Sequence, residues 1–202
     1  MIKPVLSLDM SEPLEFVKKY GSFEFVKVGH NLITEGKEIL KEFDNMGLKV
    51  ILDLKFCDIP STVSRSIKSW DCEAIIGFTV HSAAGIESIR AALESTDKLI
   101  FSVIKLTSIK GELEDYIDLI MSLDSIGSNF VLPGPWAIRL REKLKGKFLI
   151  PGIRMEVPVG DQIDVITLDK IKELDDFAVI GREVYLSDEP TKKIQKIKEM
   201  LV

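Results

Sequence analysis

At 202 residues, with 46% hydrophobic and 29% charged side chains, the chain can fill one sizeable core and carries an ordinary charged surface. Its 27 Lys and Arg stand against 32 Asp and Glu, a net charge of −5, which argues against general nucleic-acid or anionic-membrane binding and leaves anionic ligands to a local basic cluster. The N-terminus, Met1-Ile2-Lys3-Pro4-Val5, has no signal-peptide apolar region, and no apolar run reaches the length of a membrane span, so a cytoplasmic location is expected.

Taken in chain order, short apolar, β-branched runs predict strands at 5–9, 23–29, 50–55, 74–81, 99–106, 129–133, 148–152 and 177–182. Helix-prone stretches follow them at 12–20, 31–46, 61–69, 84–95, 112–123, 135–144, 168–174 and 189–200. Strands this apolar have no wet face, so they belong in a parallel sheet covered by helices. Eight such units close naturally into an α/β (β/α)8 barrel, a single domain over 1–202 with short loops. The longest irregular stretch, 153–166, contains Pro158 and Gly160 and reads as a lid or binding loop.

The two cysteines, Cys57 and Cys72, match no zinc or redox spacing and are expected to be buried free thiols. His30 and His81 lack the companions of a metal site and are expected at a strand end or helix start. Lys192, Lys193, Lys196 and Lys198 space out over one helix as a solvated face.

The stretch that carries chemistry is Leu52-Asp53-Leu54-Lys55-Phe56-Cys57-Asp58-Ile59-Pro60. Side chains two apart on a strand share a face, so Asp53 and Lys55 project together, and Asp58 could reach back from the following loop. An ammonium between carboxylates stays protonated, and in an enclosed site it can stabilise a developing carbanion and then protonate it. In barrels of this kind, function sits at the C-terminal strand ends. Those ends carry Asp9, Lys27, the 53–58 run, Lys105-Leu106-Thr107-Ser108, Pro151-Gly152 and Gly181-Arg182. Two lysines inside apolar strands require partners, for which Asp9, Asp53 and Asp58 are the candidates. The loops after the seventh and eighth strands, the usual phosphate site, offer Gly152, Gly160, Gly181 and Arg182.

The run 53–60 with Thr62 resembles the signature of the orotidine 5′-phosphate decarboxylase family, whose fold is a (β/α)8 TIM barrel of the ribulose-phosphate-binding type. Leu8-Asp9-Met10, Val26-Lys27-Val28-Gly29, Pro151-Gly152-Ile153-Arg154, Gly160-Asp161-Gln162 and Val179-Ile180-Gly181-Arg182-Glu183-Val184-Tyr185 extend the resemblance, in order, over nearly the whole chain. It implies decarboxylation of orotidine 5′-monophosphate to uridine 5′-monophosphate in pyrimidine biosynthesis, without metal or organic cofactor. Carried over by position, Lys55 is the proton donor to C6, Asp53 lies beside the substrate carboxylate, and Lys27 links the charged array to the ribose. Asp9 contacts a ribose hydroxyl, Ser108 holds the pyrimidine edge, and Gly181 and Arg182 grip the phosphate, with Pro151, Gly152 and Gly160 lining the site. The resemblance further implies a homodimer in which Asp58 and Thr62 enter the neighbouring site, with Ile59 against the base.

The lid departs from the family pattern: Arg154-Met155-Glu156-Val157-Pro158-Val159-Gly160 holds no glutamine to bridge phosphate and base, and Gln162 lies beyond the Gly160-Asp161 pair. Related sugar-phosphate decarboxylases and aldolases bind magnesium and need a glutamate on the second strand, where this chain has Lys27, whose ammonium would repel a divalent cation. A non-catalytic phosphate-binding barrel would have no use for a lysine held between acids.

Overall fold

Eight parallel strands, apolar on both the barrel-facing and the helix-facing side, set the architecture. The computed structural model describes residues 1–155 and 166–201. The strands are β1 (Lys3–Ser7), β2 (Phe25–Val28), β3 (Lys49–Phe56), β4 (Ile75–His81), β5 (Leu99–Val103), β6 (Asn129–Val131), β7 (Phe148–Ile150), the short β8 (Ile153–Arg154) and β9 (Ile166–Thr167), and β10 (Phe177–Ile180). All but β8 and β9 close a barrel in the order β1-β10-β7-β6-β5-β4-β3-β2, every neighbouring pair parallel. The expected α/β barrel is therefore present, with helices packed around it.

Inside the barrel, Val5, Phe25, Ile51, Phe101, Leu149, Phe177 and Val179 form a closed apolar plug. Phe25 and Phe101 meet Phe177 edge-on, with ring centroids at 5.5 and 5.9 Å. Two residues further along their strands, Ser7, Lys27, Asp53 and Gly181 succeed Val5, Phe25, Ile51 and Val179 on the inward face. The period of two thus stacks a polar layer directly on an apolar floor. The opposite strand faces, including Leu6, Val26, Leu52, Phe78 and Ile180, join the larger core under the helices.

The helices are α1 (Pro13–Tyr20), α2 (Leu32–Glu35), α3 (Ile39–Asn45), α4 (Pro60–Trp70), α5 (Ile86–Leu93), α6 (Ile117–Ser125), α7 (Gly134–Leu140), α8 (Arg182–Tyr185) and α9 (Pro190–Met200). Proline opens α1, α4 and α9, where its fixed φ fits and its missing N–H costs nothing. No helix among the described residues is long and apolar enough to cross a membrane.

Several local expectations are corrected. The stretch 31–46 is two helices, because Gly36 adopts φ 79° and ends the first. The stretch 168–174 forms only a 3₁₀ turn, Leu168–Lys170. The stretch 153–166 is not wholly irregular: Ile153 and Arg154 pair in parallel with Ile166 and Thr167. Pro158, Gly160 and Gln162 lie outside the described residues. Cys57 is exposed rather than buried, because β3 ends at Phe56 and leaves it in the rim turn before α4; Cys72 is half-buried. Finally, β3 is not a regular strand through Lys55. Leu52 pairs with Phe78 and Phe56 with Val80, so three residues of β3 oppose Thr79 alone, and Lys55 adopts φ 49°. A non-glycine residue in that left-handed region costs on the order of 1–3 kcal/mol, which the surrounding contacts must offset.

Candidate active site

The C-terminal mouth of the barrel opens into a cavity of about 890 Å³. It is lined by Ser7, Asp9, Lys27, Asp53 and Lys55 from the ends of β1, β2 and β3, by the 105–112 loop, and by Gly152, Arg154, Gly181, Arg182 and Tyr185 after β7 and β10, with Gly181 beside Ser7. The strand-end residues singled out in the sequence therefore converge, apart from the group at 58–62.

The polar layer is a chain of charges. Lys27, 8% exposed, donates to Asp53 Oδ2 at 2.8 Å and to Asp9 Oδ1 at 3.1 Å. Lys55 Nζ lies 2.9 Å from Asp53 Oδ1. Asp53, 7% exposed, thus takes an ammonium on each oxygen. Burial alone would raise its pKa, but Lys27 and Lys55 more than reverse this and hold the carboxyl well below the usual range. Burial likewise opposes the charge on Lys27, and Asp53 and Asp9 overcome it, raising its pKa. Ser7 donates to Asp9 Oδ2 at 2.5 Å and fixes that carboxylate at the edge of the array. The result is a preformed row of alternating charge whose outermost cation, the partly exposed Lys55, faces the cavity.

Thr79 stands behind this row. Phe78 and Val80 face the helices, so the residue between them faces inward, fully buried. Its hydroxyl donates to Asp53 Oδ1 at 2.9 Å and accepts the Lys55 backbone N–H at 2.9 Å. At the end of the same strand, His81 Nδ1 accepts the Ala83 N–H at 3.1 Å, which places the histidine at a strand end as expected. Burial first, and the nearby Lys55 charge second, lower its pKa, so the ring is held neutral.

Gly152 takes φ 75°, a conformation that turns the chain sharply after β7 and is open to glycine without strain. Pro151, Gly152 and Arg154 line the cavity beside Gly181 and Arg182, where β10 passes into α8. Ser108 lines it from the loop after β5. Asp58, Ile59 and Thr62 do not line it. Asp58 is exposed and its carboxylate accepts the N–H of Ile59 at 2.7 Å, so it pairs with neither lysine in this chain. Ile59 stands 64% exposed just before α4.

The sequence reading passed over Thr79 and Ser7, and named Tyr185 within its motif without giving it a role. It also gave Lys105 no role of its own. Lys105, only 7% exposed, lies with its ammonium 5.4 Å from the Trp136 ring centre and donates to Ile109 O at 3.0 Å, tying down the loop that bears Ser108. A lysine at the end of an apolar strand was the available signal for it. For Thr79 the signal was a hydroxyl on the inward face of a strand.

A parallel barrel with a buried Lys–Asp–Lys array sharing its cavity with a Gly–Arg turn belongs to the class of barrel enzymes that act on phosphorylated, anionic substrates. The model of the Orotidine 5'-phosphate decarboxylase / HUMPS family matches residues 3–197, and the chain belongs to that family. It is 64% identical over 197 residues to an orotidine 5'-phosphate decarboxylase of Thermotoga maritima, covering 98% of each chain. A crystal structure of orotidine 5'-phosphate decarboxylase from the same organism superposes with a TM-score of 0.90 at 60% identity, covering 98% of both chains. The orotidine 5'-monophosphate decarboxylase of Methanocaldococcus jannaschii, crystallised with the inhibitor BMP, gives a TM-score of 0.78 at 26% identity, covering 100% of this chain and 99% of that one.

Proposed function

We propose that this protein decarboxylates orotidine 5′-monophosphate to uridine 5′-monophosphate and carbon dioxide, with Lys55 as the proton donor. The observation that carries this reading is the Lys27–Asp53–Lys55 array, with contacts of 2.8 and 2.9 Å, lining a cavity that Arg182 also lines. The phosphate lies against Gly152, Gly181 and Arg182, and the ribose hydroxyls against Asp9 and Lys27. Ser108 meets the pyrimidine edge, which brings C6 and its carboxylate to Lys55 and Asp53.

In the reaction the bond from C6 to the carboxylate carbon breaks and its electron pair stays on C6, in the ring plane, where the π system cannot delocalise it. The Lys55 ammonium faces that pair and transfers a proton to C6; the amine left behind regains a proton from solvent after carbon dioxide departs. One charge pair at about 4 Å and an effective dielectric near 20 supplies roughly 4 kcal/mol, and enzymatic barrier reductions run from about 8 to 23 kcal/mol. Lys55 alone is therefore insufficient. The remainder comes from charges fixed before substrate arrives and from phosphate binding energy that holds the base in place.

Asp58 and Thr62 belong to the neighbouring subunit's site in a homodimer. Their exclusion from their own cavity and the exposure of Ile59 beside them support this. The phosphosugar branch of the family is disfavoured by Lys27, whose buried ammonium occupies the barrel interior where a divalent cation would need an acid.

The test is absorbance-followed decarboxylation of orotidine 5′-monophosphate by the purified protein, with and without a chelator. Turnover unaffected by the chelator is expected. Chelator-sensitive turnover, or none on this nucleotide, would point to the phosphosugar branch.

A further inference from the structure

We infer that Thr79 is a positioning residue for the decarboxylation, setting the catalytic lysine and its aspartate in register through one hydroxyl. The inference rests on the proposed decarboxylase reading.

The need for such a residue arises in the backbone. Between the pairs Leu52–Phe78 and Phe56–Val80, β3 spends three residues where β4 spends one. This bulge arches the chain away from β4 and puts Lys55 at φ 49°, so the Lys55 N–H loses the carbonyl it would meet in a regular parallel ladder. A buried N–H without a partner is strongly disfavoured. The Thr79 hydroxyl accepts it at 2.9 Å. The same oxygen spends its own proton on Asp53 Oδ1, also at 2.9 Å, the oxygen that holds the Lys55 ammonium. One atom therefore ties the main chain of Lys55 to the carboxylate that orients its side chain. The hydroxyl has a single proton, so this polarity is fixed: the backbone gives, the carboxylate receives.

Two consequences follow. The N–H of the left-handed Lys55 is held by a side chain, and in its observed conformation Asp53 satisfies Lys27, Lys55 and Thr79 at once. Without the hydroxyl, the bulge relaxes and the Lys55 ammonium moves relative to C6. Misplacement of this kind acts on the chemical step, because proton delivery depends on reach and alignment. The proposed phosphate grip at Gly181 and Arg182 follows β10, four strands from β4 around the barrel, and is expected to stay intact.

The experiment compares Thr79→Val, which keeps the volume, with Thr79→Ser and Thr79→Ala, which differ from each other by the hydroxyl alone. Three readouts are taken on the full-length protein. They are kcat and KM for orotidine 5′-monophosphate, the dissociation constant for uridine 5′-monophosphate, and the rate at which the C6 hydrogen of that product exchanges with deuterium in D₂O. The exchange reports Lys55 proton transfer in reverse and does not respond to a mere loss of stability in folded protein. Thr79→Val is expected to lower kcat and the exchange rate together, by about ten- to a hundredfold, the equivalent of one buried group left unpaired. KM and product affinity should stay within about threefold, and Thr79→Ser should recover most of the activity that Thr79→Ala loses. If Thr79→Val does not fold, the Ser and Ala pair decides. Equal kcat and exchange in the Ser and Ala variants, or a Val variant that is less stable yet turns over normally, would overturn the inference. A parent protein inactive on the nucleotide would instead overturn the functional reading beneath it.

Discussion

Replacing Lys27 with methionine tests whether the charge row is as tightly coupled as its geometry implies. The substitution keeps most of the volume and removes one ammonium from a buried carboxylate. At 2.8 Å and an effective dielectric of about 20, the Lys27–Asp53 attraction is about 6 kcal/mol before solvation is counted. The Asp9 contact at 3.1 Å adds much less, because that carboxylate is half-exposed and screened. Asp53 keeps Lys55 and Thr79 on its other oxygen, which limits the damage. Removing one member of a buried pair typically costs about 3–5 kcal/mol, and that is the loss expected for Lys27→Met. Asp53→Asn should also destabilise, since it strands two ammoniums, and the double variant should be less harmful than the sum by roughly 2 kcal/mol or more. Urea unfolding followed by the fluorescence of Trp70 and Trp136, at fixed protein concentration, measures all three. A Lys27→Met protein within about 1 kcal/mol of the parent, or strictly additive losses, would refute the coupling.

Arg182→Ala should raise KM for the nucleotide by roughly ten- to a hundredfold, the value of a charge-assisted contact, with a smaller change in kcat; an unchanged KM would count against the phosphate assignment. The array should also leave a pH signature. Asp53 titrates lower in the folded protein than unfolded, so its stabilisation is complete above about pH 4 and falls away in stronger acid. Lys27 titrates higher when folded, so its stabilisation is complete below about pH 10 and is lost as alkali removes the proton. The stability gap between parent and Lys27→Met should therefore be flat from about pH 6 to 8 in urea titrations, and a slope there would contradict the assignment. Mixing inactive Lys55→Ala and Asp58→Ala chains should restore about a quarter of parental activity if subunits pair randomly in a two-fold dimer, because one hybrid site then holds both residues. No recovery after confirmed subunit exchange would place Asp58 in its own subunit's chemistry.

The barrel was legible because its strands obey simple rules. Apolar residues on both faces mark β1 to β7 and β10 as buried parallel strands, and the inward period of two leads from Phe25 to Lys27 and from Ile51 to Asp53 without any tertiary information. The features that escaped depend on departures from those rules. Asp53 and Lys55 do lie together, but through a bulge and a left-handed residue, not through the regular alternation that suggested it. No pattern in a single strand announces a bulge, since it exists only relative to the partner's register. Thr79 was hidden for the same reason: its two bonds go to residues on β3, more than 20 positions earlier. The break at Gly36 was visible in principle, but the apolar period on either side outweighed one glycine. Cys57 was read from its residue type, which favours burial, when its place at the rim decides its exposure.

The most direct measurement is the turnover of orotidine 5′-monophosphate by Lys55→Ala beside the parent protein, with uridine 5′-monophosphate affinity and urea unfolding recorded for both. If the Lys55 ammonium stabilises and then protonates C6, kcat falls by at least about a thousandfold, the worth of roughly 4 kcal/mol, while the variant still unfolds cooperatively and still binds the product. Turnover within about tenfold of the parent in a folded, product-binding variant would contradict the assignment of Lys55 as the proton donor.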